Sequence, residues 1–338
     1  MTDTTTRYER IDFQSDQEVR WCPGCGDYTI LSAVQTFLAS LDIDHEKHVF
    51  VSGIGCAARF PYYMSTYGIH AIHGRAPAVA SGIAIANPGL TVWIVTGDGD
   101  ALSIGGNHLI HTMRRNVNLK ILLFNNQIYG LTKGQYSPTS ETGKHTKTSP
   151  MGSVDHPFNP ISLALGAEAS FVARTIDMDR PHTTKILEAA HRHRGTALIE
   201  IYQNCNVFND KAFAELTGRD ERDMNRINLE AGQPVIFGKD NEMGVVVDTS
   251  GARTVRVADV GLEAIHVHDP AAPTSAAAYS LSRLSHGPHG PTPVGIFRDH
   301  TRDVYEDRVS QQLADAQARR GPGELSKLLA SAGTWTVN

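Results

Sequence analysis

The chain has few cysteines, no large excess of charge of one sign and no long uninterrupted apolar run. Four cysteines in 338 residues are too few for a disulfide-stapled scaffold. The formal net charge is only -5, which excludes a protein that binds nucleic acid through a strong positive field. The most apolar stretch, residues 76–95, is broken by Ser81, Asn87, Pro88 and Gly89, so we expect no membrane span.

The remaining composition is that of an ordinary globular protein. Hydrophobic residues make up 41% and charged residues 20%, which supplies a core and excludes global disorder. Residues 1–18 are polar and acidic and lack the basic start and apolar centre of a secretory signal, so we expect a cytoplasmic protein. Thiols stay reduced in that compartment, and cysteines that group together there indicate metal or redox chemistry.

Short β-rich segments alternate with helical patterns between residues 26 and 203. The predicted strands are 48–51, 92–96, 119–124, 171–174 and 197–202. The predicted helices are 30–41, 103–115, 159–165 and 181–193. This alternation predicts an α/β fold in which a mostly parallel sheet is covered by helices on both faces.

Two regions depart from this alternation. Residues 132–160 are rich in Gly, Ser, Thr, Pro and His without periodicity, which predicts an active-site loop. After Asn209 the sequence predicts a C-terminal extension, with short antiparallel strands within residues 235–257 and helices over 301–319 and 323–332. The resulting division is an N-terminal arm (1–20), a main domain (21–209) and a C-terminal extension of unassigned role (210–338).

A Gly-Asp-Gly turn, residues 97–99, directly follows a predicted strand and precedes helix-forming sequence. Glycines allow the backbone to approach a phosphate closely, and Asp98 between them could hold a hard cation such as Mg²⁺. A second oxygen ligand is available from Asn125-Asn126, at the end of the next predicted strand. Alternatively, Asp98 caps a helix and the asparagines form a turn. The pair of motifs resembles the thiamine-diphosphate motif of transketolase-like and 2-oxoacid enzymes.

The four cysteines could form one site. Cys22 and Cys25 share a Cys-Pro-Gly-Cys turn, and Cys56 and Cys205 are the only others. Their spacing suits a structural zinc ion and an iron–sulfur cluster equally well. Alternatively, Cys56 and Cys205 are small buried hydrophobic residues. A cluster would explain both motifs together, because it can accept the electrons left after a thiamine-dependent decarboxylation, whereas zinc cannot.

Over residues 15–210 the sequence resembles the β subunit of the 2-oxoacid:ferredoxin oxidoreductases, and most closely the 2-oxoglutarate members. The matching motifs are WCPGCG (21–26), GIGCA (53–57), HGRA (73–76), GDGDA (97–101), NN (125–126) and YGLTKGQYSPT (129–139). The resemblance implies a thiamine-diphosphate-binding fold with Mg²⁺ and one [4Fe-4S] cluster. The implied cluster ligands are Cys22, Cys25, Cys56 and Cys205.

The resemblance also implies roles at the cofactor. Asp98, the Asn126 side chain and the Ile128 carbonyl would hold Mg²⁺. The residues implied at the thiamine rings and the diphosphate are Ile54, Gly55, Cys56, His73, Gly97, Gly99, Asp100, Tyr129, Gly130, Leu131 and Thr132. Asp27 matches an acidic position near the thiazolium, although it also fits a helix cap. Lys133 matches the position that meets the substrate carboxylate, a role that suits a flexible ammonium donor.

The implied partners follow from what the chain lacks. No glutamate stands in a recognisable position to activate thiamine, and in the family it comes from an α subunit, so we expect an assembly such as (αβ)₂. The implied reaction is CoA-dependent oxidative decarboxylation of 2-oxoglutarate to succinyl-CoA and CO₂, or its reverse, with ferredoxin accepting the electrons. Pyruvate or a broad range of 2-oxoacids is the alternative substrate. Two further hypotheses are a non-redox thiamine decarboxylase with structural zinc and a binding subunit without thiamine.

Overall fold

The computed structural model describes residues 8–284, 291–335 and 337. Residues 1–7 of the predicted N-terminal arm lie outside the described residues, as do residues 285–290, 336 and 338 of the predicted C-terminal extension. Within the described ranges, no helix combines the length and the apolarity needed to cross a bilayer.

Strands and helices alternate along most of the chain. The strands are β1 (His48–Ser52), β2 (Tyr67–His70), β3 (Thr91–Gly97), β4 (Lys120–Asn125), β5 (Phe171–Ile176), β6 (Ala197–Tyr202), β7 (Arg226–Leu229), β8 (Ile236–Phe237), β9 (Met243–Asp248), β10 (Gly251–Arg256) and β11 (Thr292–Asp299). The α-helices are α1 (Asp27–Ala39), α2 (Ala76–Ala86), α3 (Asp98–Leu102), α4 (Gly106–Arg115), α5 (Pro160–Gly166), α6 (Arg180–Arg192), α7 (Ala214–Thr217), α8 (Arg222–Asn225), α9 (Val257–Val260), α10 (Ala276–Ser282), α11 (Tyr305–Arg320) and α12 (Leu325–Ala330). Short 3₁₀ helices cover Arg10–Phe13, His45–Lys47, Ala57–Tyr63 and Leu262–Ala264.

The main sheet has the strand order β2-β1-β3-β4-β6-β5-β11-β7. The first six strands in this order run parallel to one another. β11 is antiparallel to β5, and β7 is parallel to β11. A second, antiparallel sheet has the order β10-β9-β8. The prediction of a mostly parallel sheet in an α/β fold is confirmed.

Helices cover both faces of the main sheet, so both faces are buried. Side chains along each central strand point alternately to these two faces. In β4, Ile121 and Leu123 pack into one hydrophobic cluster with residues of α2, α4, α5 and α10. Leu122 and Phe124 pack into the other cluster, with residues of α1 and α6. The near-continuous apolar runs that identified the strands in the sequence are therefore a consequence of burial on both sides.

Among the elements that the sequence did not predict, four form or cover the main sheet: β2, α2, β7 and β11. All four residues of the edge strand β2 are exposed, so it carries no core pattern. α2 is built largely of Ala, and β7 and β11 are short or interrupted by Pro293 and Gly295. The C-terminal region therefore contributes two strands to the main sheet, in addition to the predicted small antiparallel strands. The helix predicted over 103–115 is also shorter, since it starts only at Gly106, after the separate α3.

His48 at the start of β1 is a buried titratable group in the core. It is fully buried, and neither of its ring nitrogens has a hydrogen-bond partner among the described residues. Burial, together with the nearby His191 and His45, lowers the pKa of its imidazole to about 4. As the pH falls, the imidazole of His48 is protonated at a higher pH in the unfolded chain than in the folded chain. The folded chain therefore has its full stability near pH 7, where His48 is neutral in both states. The contribution of neutral His48 is lost as the pH falls from about 6.5 to about 4.

We expect His48→Leu to reduce the acid sensitivity of the fold, because the variant has no imidazole to protonate at this position. Between the unfolded and folded pKa values, the free energy of unfolding of the native chain should fall about 1.4 kcal/mol per pH unit more steeply than that of the variant. Urea unfolding at pH 7, 6 and 5 measures this slope. His111→Leu, at an exposed position, is the control. Equal slopes for His48→Leu and the native chain would contradict the assignment.

Candidate functional site

A cavity of about 580 Å³ lies at the carboxyl ends of the parallel strands β1, β3 and β4. This edge of an open α/β sheet is where such folds bind ligands. All residues that the sequence predicted to contact the cofactor line it: Asp27, Ile54, Gly55, Cys56, His73, Gly97, Asp98, Gly99, Asp100, Asn126, Ile128, Tyr129, Gly130, Leu131 and Thr132. Segments far apart in the sequence therefore meet at one place.

Asp98 is a buried carboxylate at the wall of this cavity. It is 2% exposed, and its Oδ2 accepts hydrogen bonds from Ser137 Oγ at 2.5 Å and Thr139 Oγ1 at 2.6 Å. Burial raises the pKa of its carboxyl to about 6, although both hydroxyls favour the ionised form. A cation bound in the cavity would compensate this buried negative charge.

The two adjacent asparagines at the end of β4, Asn125 and Asn126, have different environments. Asn126 lines the cavity, its Nδ2 donates to Gln203 Oε1 at 2.9 Å, and its Oδ1 accepts the Ile128 N–H at 3.2 Å. Asn125 is buried, and its Nδ2 donates to Glu200 Oε1 at 2.7 Å. Asn126 therefore reaches the cavity, where its role as a ligand stays a prediction, and Asn125 belongs to the core.

Close backbone packing shapes the cavity around Gly99 and Asp100. A Cβ at Gly99 would lie 2.1 Å from the Tyr129 ring, so a side chain there would displace the tyrosine. Tyr129 in turn donates its hydroxyl to the Gly99 carbonyl at 3.1 Å. Asp100 Oδ1 accepts the Gly74 N–H and its Oδ2 accepts the Thr96 hydroxyl, both at 2.7 Å. Burial raises the pKa of Asp100. This packing holds the segments after β3 and β4 against each other.

The four cysteines are all free and come from three segments that converge beside the cavity. Trp21 Nε1 donates to the Cys56 carbonyl at 2.8 Å, and Gln203 Nε2 donates to Cys25 Sγ at 3.3 Å. A Cβ at Gly130 would lie 3.6 Å from Cys205 Sγ and 3.7 Å from Cys56 Sγ. Glycine at this position therefore keeps space open between these two sulfurs.

Electrostatics also link the cysteines. Burial, together with the nearby Asp27, Cys205 and Cys22, raises the pKa of the Cys56 thiol to about 12. Burial likewise raises the pKa of Cys25, with contributions from Asp27, Cys205 and Cys56. Thiolates in such surroundings need a bound cation or cluster to stabilise them. In the described part of the chain, no three His, Cys, Asp or Glu side chains gather as the ligands of a single metal ion.

Lys133 does not line the cavity, unlike the residues predicted to contact thiamine diphosphate or Mg²⁺. It is exposed and has a left-handed backbone with φ of 82°, just after the lining residues Leu131 and Thr132. The sequence also missed lining residues, among them the exposed cation Arg59 and the aromatic Tyr62. Both lie in the 3₁₀ helix Ala57–Tyr63, directly after the predicted site residue Cys56, and that proximity in sequence is the signal that could have pointed to them.

Known proteins similar to this chain share its cofactor-binding region. Residues 53–201 match the family model described as the thiamine pyrophosphate enzyme, C-terminal TPP binding domain. The 2-oxoglutarate oxidoreductase subunit KorB of Mycobacterium tuberculosis is 56% identical over 331 residues, covering 97% of this chain and 88% of the relative. The β subunit of 2-oxoacid:ferredoxin oxidoreductase 1 of Aeropyrum pernix is 45% identical over 195 residues, covering 58% of this chain and 61% of that subunit.

One solved structure matches nearly the whole chain. It is the 2-oxoglutarate:ferredoxin oxidoreductase from Magnetococcus marinus with 2-oxoglutarate, coenzyme A and succinyl-CoA bound. The sequence identity is 32%, the TM-score is 0.75, and the match covers 98% of both chains. The structural similarity therefore continues beyond residue 209 into the C-terminal region.

We expect Asp98→Asn to lower affinity for thiamine diphosphate at fixed Mg²⁺ by at least about tenfold, because the amide loses the negative charge that a divalent ion needs. Asn126→Ala should act in the same direction by removing an oxygen ligand. Mass spectrometry of the cofactor retained after gel filtration measures the effect. Asp240→Asn, at an exposed position, is the control. Native cofactor content in both cavity variants would refute the Mg²⁺ site.

Proposed function

Because the chain belongs to the β-subunit family of the 2-oxoacid:ferredoxin oxidoreductases, we propose that it is the thiamine-diphosphate-binding subunit of a CoA-dependent 2-oxoglutarate oxidoreductase. The enzyme would convert 2-oxoglutarate to succinyl-CoA and CO₂, or run the reverse reaction. The observation that carries the proposal is that every residue predicted to contact thiamine diphosphate or its Mg²⁺ lines one cavity. We propose that the protein is located in the cytoplasm, because its reducing conditions keep the four free thiols available to ligate a cluster.

The cavity fits thiamine diphosphate with Mg²⁺. Asp98 offers a carboxylate, Asn126 an amide oxygen and Ile128 a carbonyl, which are the hard oxygen donors that Mg²⁺ prefers. When bound, thiamine diphosphate supplies the carbanion chemistry that cleaves the 2-oxoacid. This chain would hold the diphosphate end with Gly97–Asp100 and the rings with Ile54, Gly55 and Cys56, all of which line the cavity.

The cysteines fit a [4Fe-4S] cluster. Such a cluster presents a separate iron to each of four thiolates, so its ligands are spread over the cluster rather than gathered about one ion. The open space between Cys56 and Cys205 at Gly130 and the hydrogen bond from Gln203 to Cys25 support this role. Because Cys56 also lines the cavity, electrons from the substrate would have a short path to the cluster.

Arg59 is the cation best placed to bind a substrate carboxylate. Two arginines line the cavity, and Arg20 is already paired with Glu18 at 2.9 Å. No carboxylate within the described residues pairs with Arg59. An unpaired guanidinium at a cavity wall favours an anionic substrate. The role predicted for Lys133 stays a prediction, and it requires the loop to bring that side chain to the cavity.

An α subunit would dock on the exposed apolar face around β2. Tyr62, Tyr67, Ile69 and Ile72 are exposed there, between 40% and 71%. Tyr62 and His70 also line the cavity, so this face is continuous with the site that still needs an activating glutamate. We propose the α subunit as its occupant, an (αβ)₂ assembly, and ferredoxin as the electron acceptor.

The assay that tests this function uses the chain co-expressed with its α subunit, CoA and a low-potential acceptor. We expect 2-oxoglutarate to be the preferred substrate and the chain alone to be inactive. Arg59→Met should lower kcat/KM for 2-oxoglutarate. The loss of transition-state stabilisation should be about 1.5 to 3 kcal/mol, the range for a lost charge-assisted hydrogen bond. Lys133→Ala is the matched comparison. A higher kcat/KM for pyruvate would contradict the substrate, and turnover by the chain alone would contradict the partner.

We expect Cys205→Ala to lose the cluster, because three thiolates and a methyl group leave one iron without its ligand. Iron and acid-labile sulfide assays on anaerobically purified complex should fall from four of each per chain to a small fraction. Val207→Ala, at a neighbouring exposed position, should retain both. Full iron and sulfide in Cys205→Ala would show that this cysteine is only a packing residue, and zinc in place of iron would support the non-redox hypothesis.

A further inference from the structure

A tight turn within the irregular loop packs against the carboxylate of Asp98, the proposed Mg²⁺ ligand. Ser137, Thr139 and Ser140 are buried, with exposures of 2% to 3%. The turn closes on itself through the Ser140 N–H, which donates to the Ser137 carbonyl at 3.1 Å. A run of three buried hydroxyls beside a ligand cavity requires a polar partner for each hydroxyl.

Two of these hydroxyls bind the same atom of Asp98. Ser137 Oγ and Thr139 Oγ1 both donate to Oδ2, at 2.5 Å and 2.6 Å. No side chain among the described residues donates to Oδ1 of Asp98. The Gly99 backbone N–H also bonds this carboxylate. The hydroxyls therefore occupy one carboxylate oxygen, and no described side chain competes with a cavity ligand for the other.

The third hydroxyl of the turn has a different partner. Ser140 Oγ donates to the Gln127 carbonyl at 2.6 Å and accepts the Ser137 N–H at 2.8 Å. It therefore stabilises the turn without touching Asp98. This difference separates the structural contribution of the turn from its contribution to the carboxylate.

Thr139 is itself held in place from the core. Its Oγ1 lies 2.9 Å from Asn125 Oδ1, which also accepts the Gln127 N–H at 3.2 Å. A hydroxyl carries one proton, so when Thr139 donates to Asp98 the Gln127 N–H still satisfies Asn125. The Asn125 amide is oriented by Glu200, which Arg174 binds at 2.7 Å. The hydroxyl therefore sits between the carboxylate and a rigid buried network.

We propose that Ser137 and Thr139 are positioning residues that orient Asp98 for Mg²⁺. This inference rests on the proposed function, which places Mg²⁺ and thiamine diphosphate at Asp98. Hydrogen bonds from two hydroxyls restrict rotation of the carboxylate and hold the other oxygen toward the ion. Groups that orient a metal ligand in this way contribute to metal affinity although they do not touch the metal.

The same contacts link the loop to the cofactor. Ser137 and Thr139 belong to the irregular segment that continues to exposed Met151 and Val154. If the ionised, metal-bound Asp98 strengthens the hydroxyl contacts, Mg²⁺ binding stabilises the loop, and by linkage an ordered loop strengthens Mg²⁺ binding to the same extent. Loop protection is therefore a second readout that does not depend on turnover.

The experiment titrates Mg²⁺ into αβ complex stripped of cofactor and measures retained thiamine diphosphate by mass spectrometry. Thr139→Val keeps the side-chain shape without the hydroxyl, and we expect it to need about tenfold more Mg²⁺ for half-saturation. Ser137→Ala should shift the midpoint in the same direction. Thr139→Ser restores the hydroxyl and should stay within about twofold of the native complex. With Mg²⁺ and thiamine diphosphate present, proteolysis of the loop should slow in the native complex and less so in Thr139→Val.

Ser140→Ala is the matched control, because it removes a hydroxyl from the same turn that does not reach Asp98. It should keep the native Mg²⁺ midpoint even if it lowers thermal stability. Equal shifts in Ser140→Ala and Thr139→Val would overturn the proposal and assign the effect to the turn as a whole. A native midpoint in Thr139→Val would overturn it while leaving the cofactor site intact. Absence of Mg²⁺-dependent retention in the native complex would refute the proposed cofactor site and the positioning role together.

Discussion

The buried ion pair between Arg174 on β5 and Glu200 on β6 organises the cofactor end of the main sheet. Their side chains are 1% and 0% exposed, and Arg174 Nε donates to Glu200 Oε2 at 2.7 Å. Charges removed from water are costly unless their other donors and acceptors are bonded. Here the Pro293 carbonyl of β11 accepts from Arg174, and Asn125 of β4 donates to Glu200. The pair thus ties β4, β5, β6 and β11 together directly behind the turn that contacts Asp98.

Elements with a strong apolar pattern could be predicted from the sequence, and elements without one could not. β4 and β6 are buried along their whole length, so their hydrophobic runs identified them almost to the residue. β2 is exposed along its length and β11 contains proline and glycine, so neither carries a signal of its own. The position of β11 depends on long-range pairing with β5 and β7, which no local pattern encodes.

The candidate site divides in the same way. Residues that contact the cofactor region through short, contiguous motifs, such as Gly97–Asp100 and Tyr129–Thr132, were found from the sequence and line the cavity. Arg59 and Thr139 were not found, because their roles arise only when separate segments meet in space. Lys133 was predicted from its position in a motif, but in this structure its exposed side chain does not line the cavity. Where that side chain lies depends on the left-handed backbone after Thr132, which the motif does not reveal.

The placement of β11 has a consequence for biosynthesis. β5 pairs with β6 on one side and with residues 292–299 on the other, so one edge of β5 has no partner until nearly the entire chain has left the ribosome. Unpaired edges of hydrophobic strands recruit other chains. The nascent chain therefore carries all four cysteines and the complete Asp98 region, up to Cys205, before its sheet is closed. Any fragment that stops near residue 209 would keep this edge exposed and tend to aggregate, although it contains every cofactor motif.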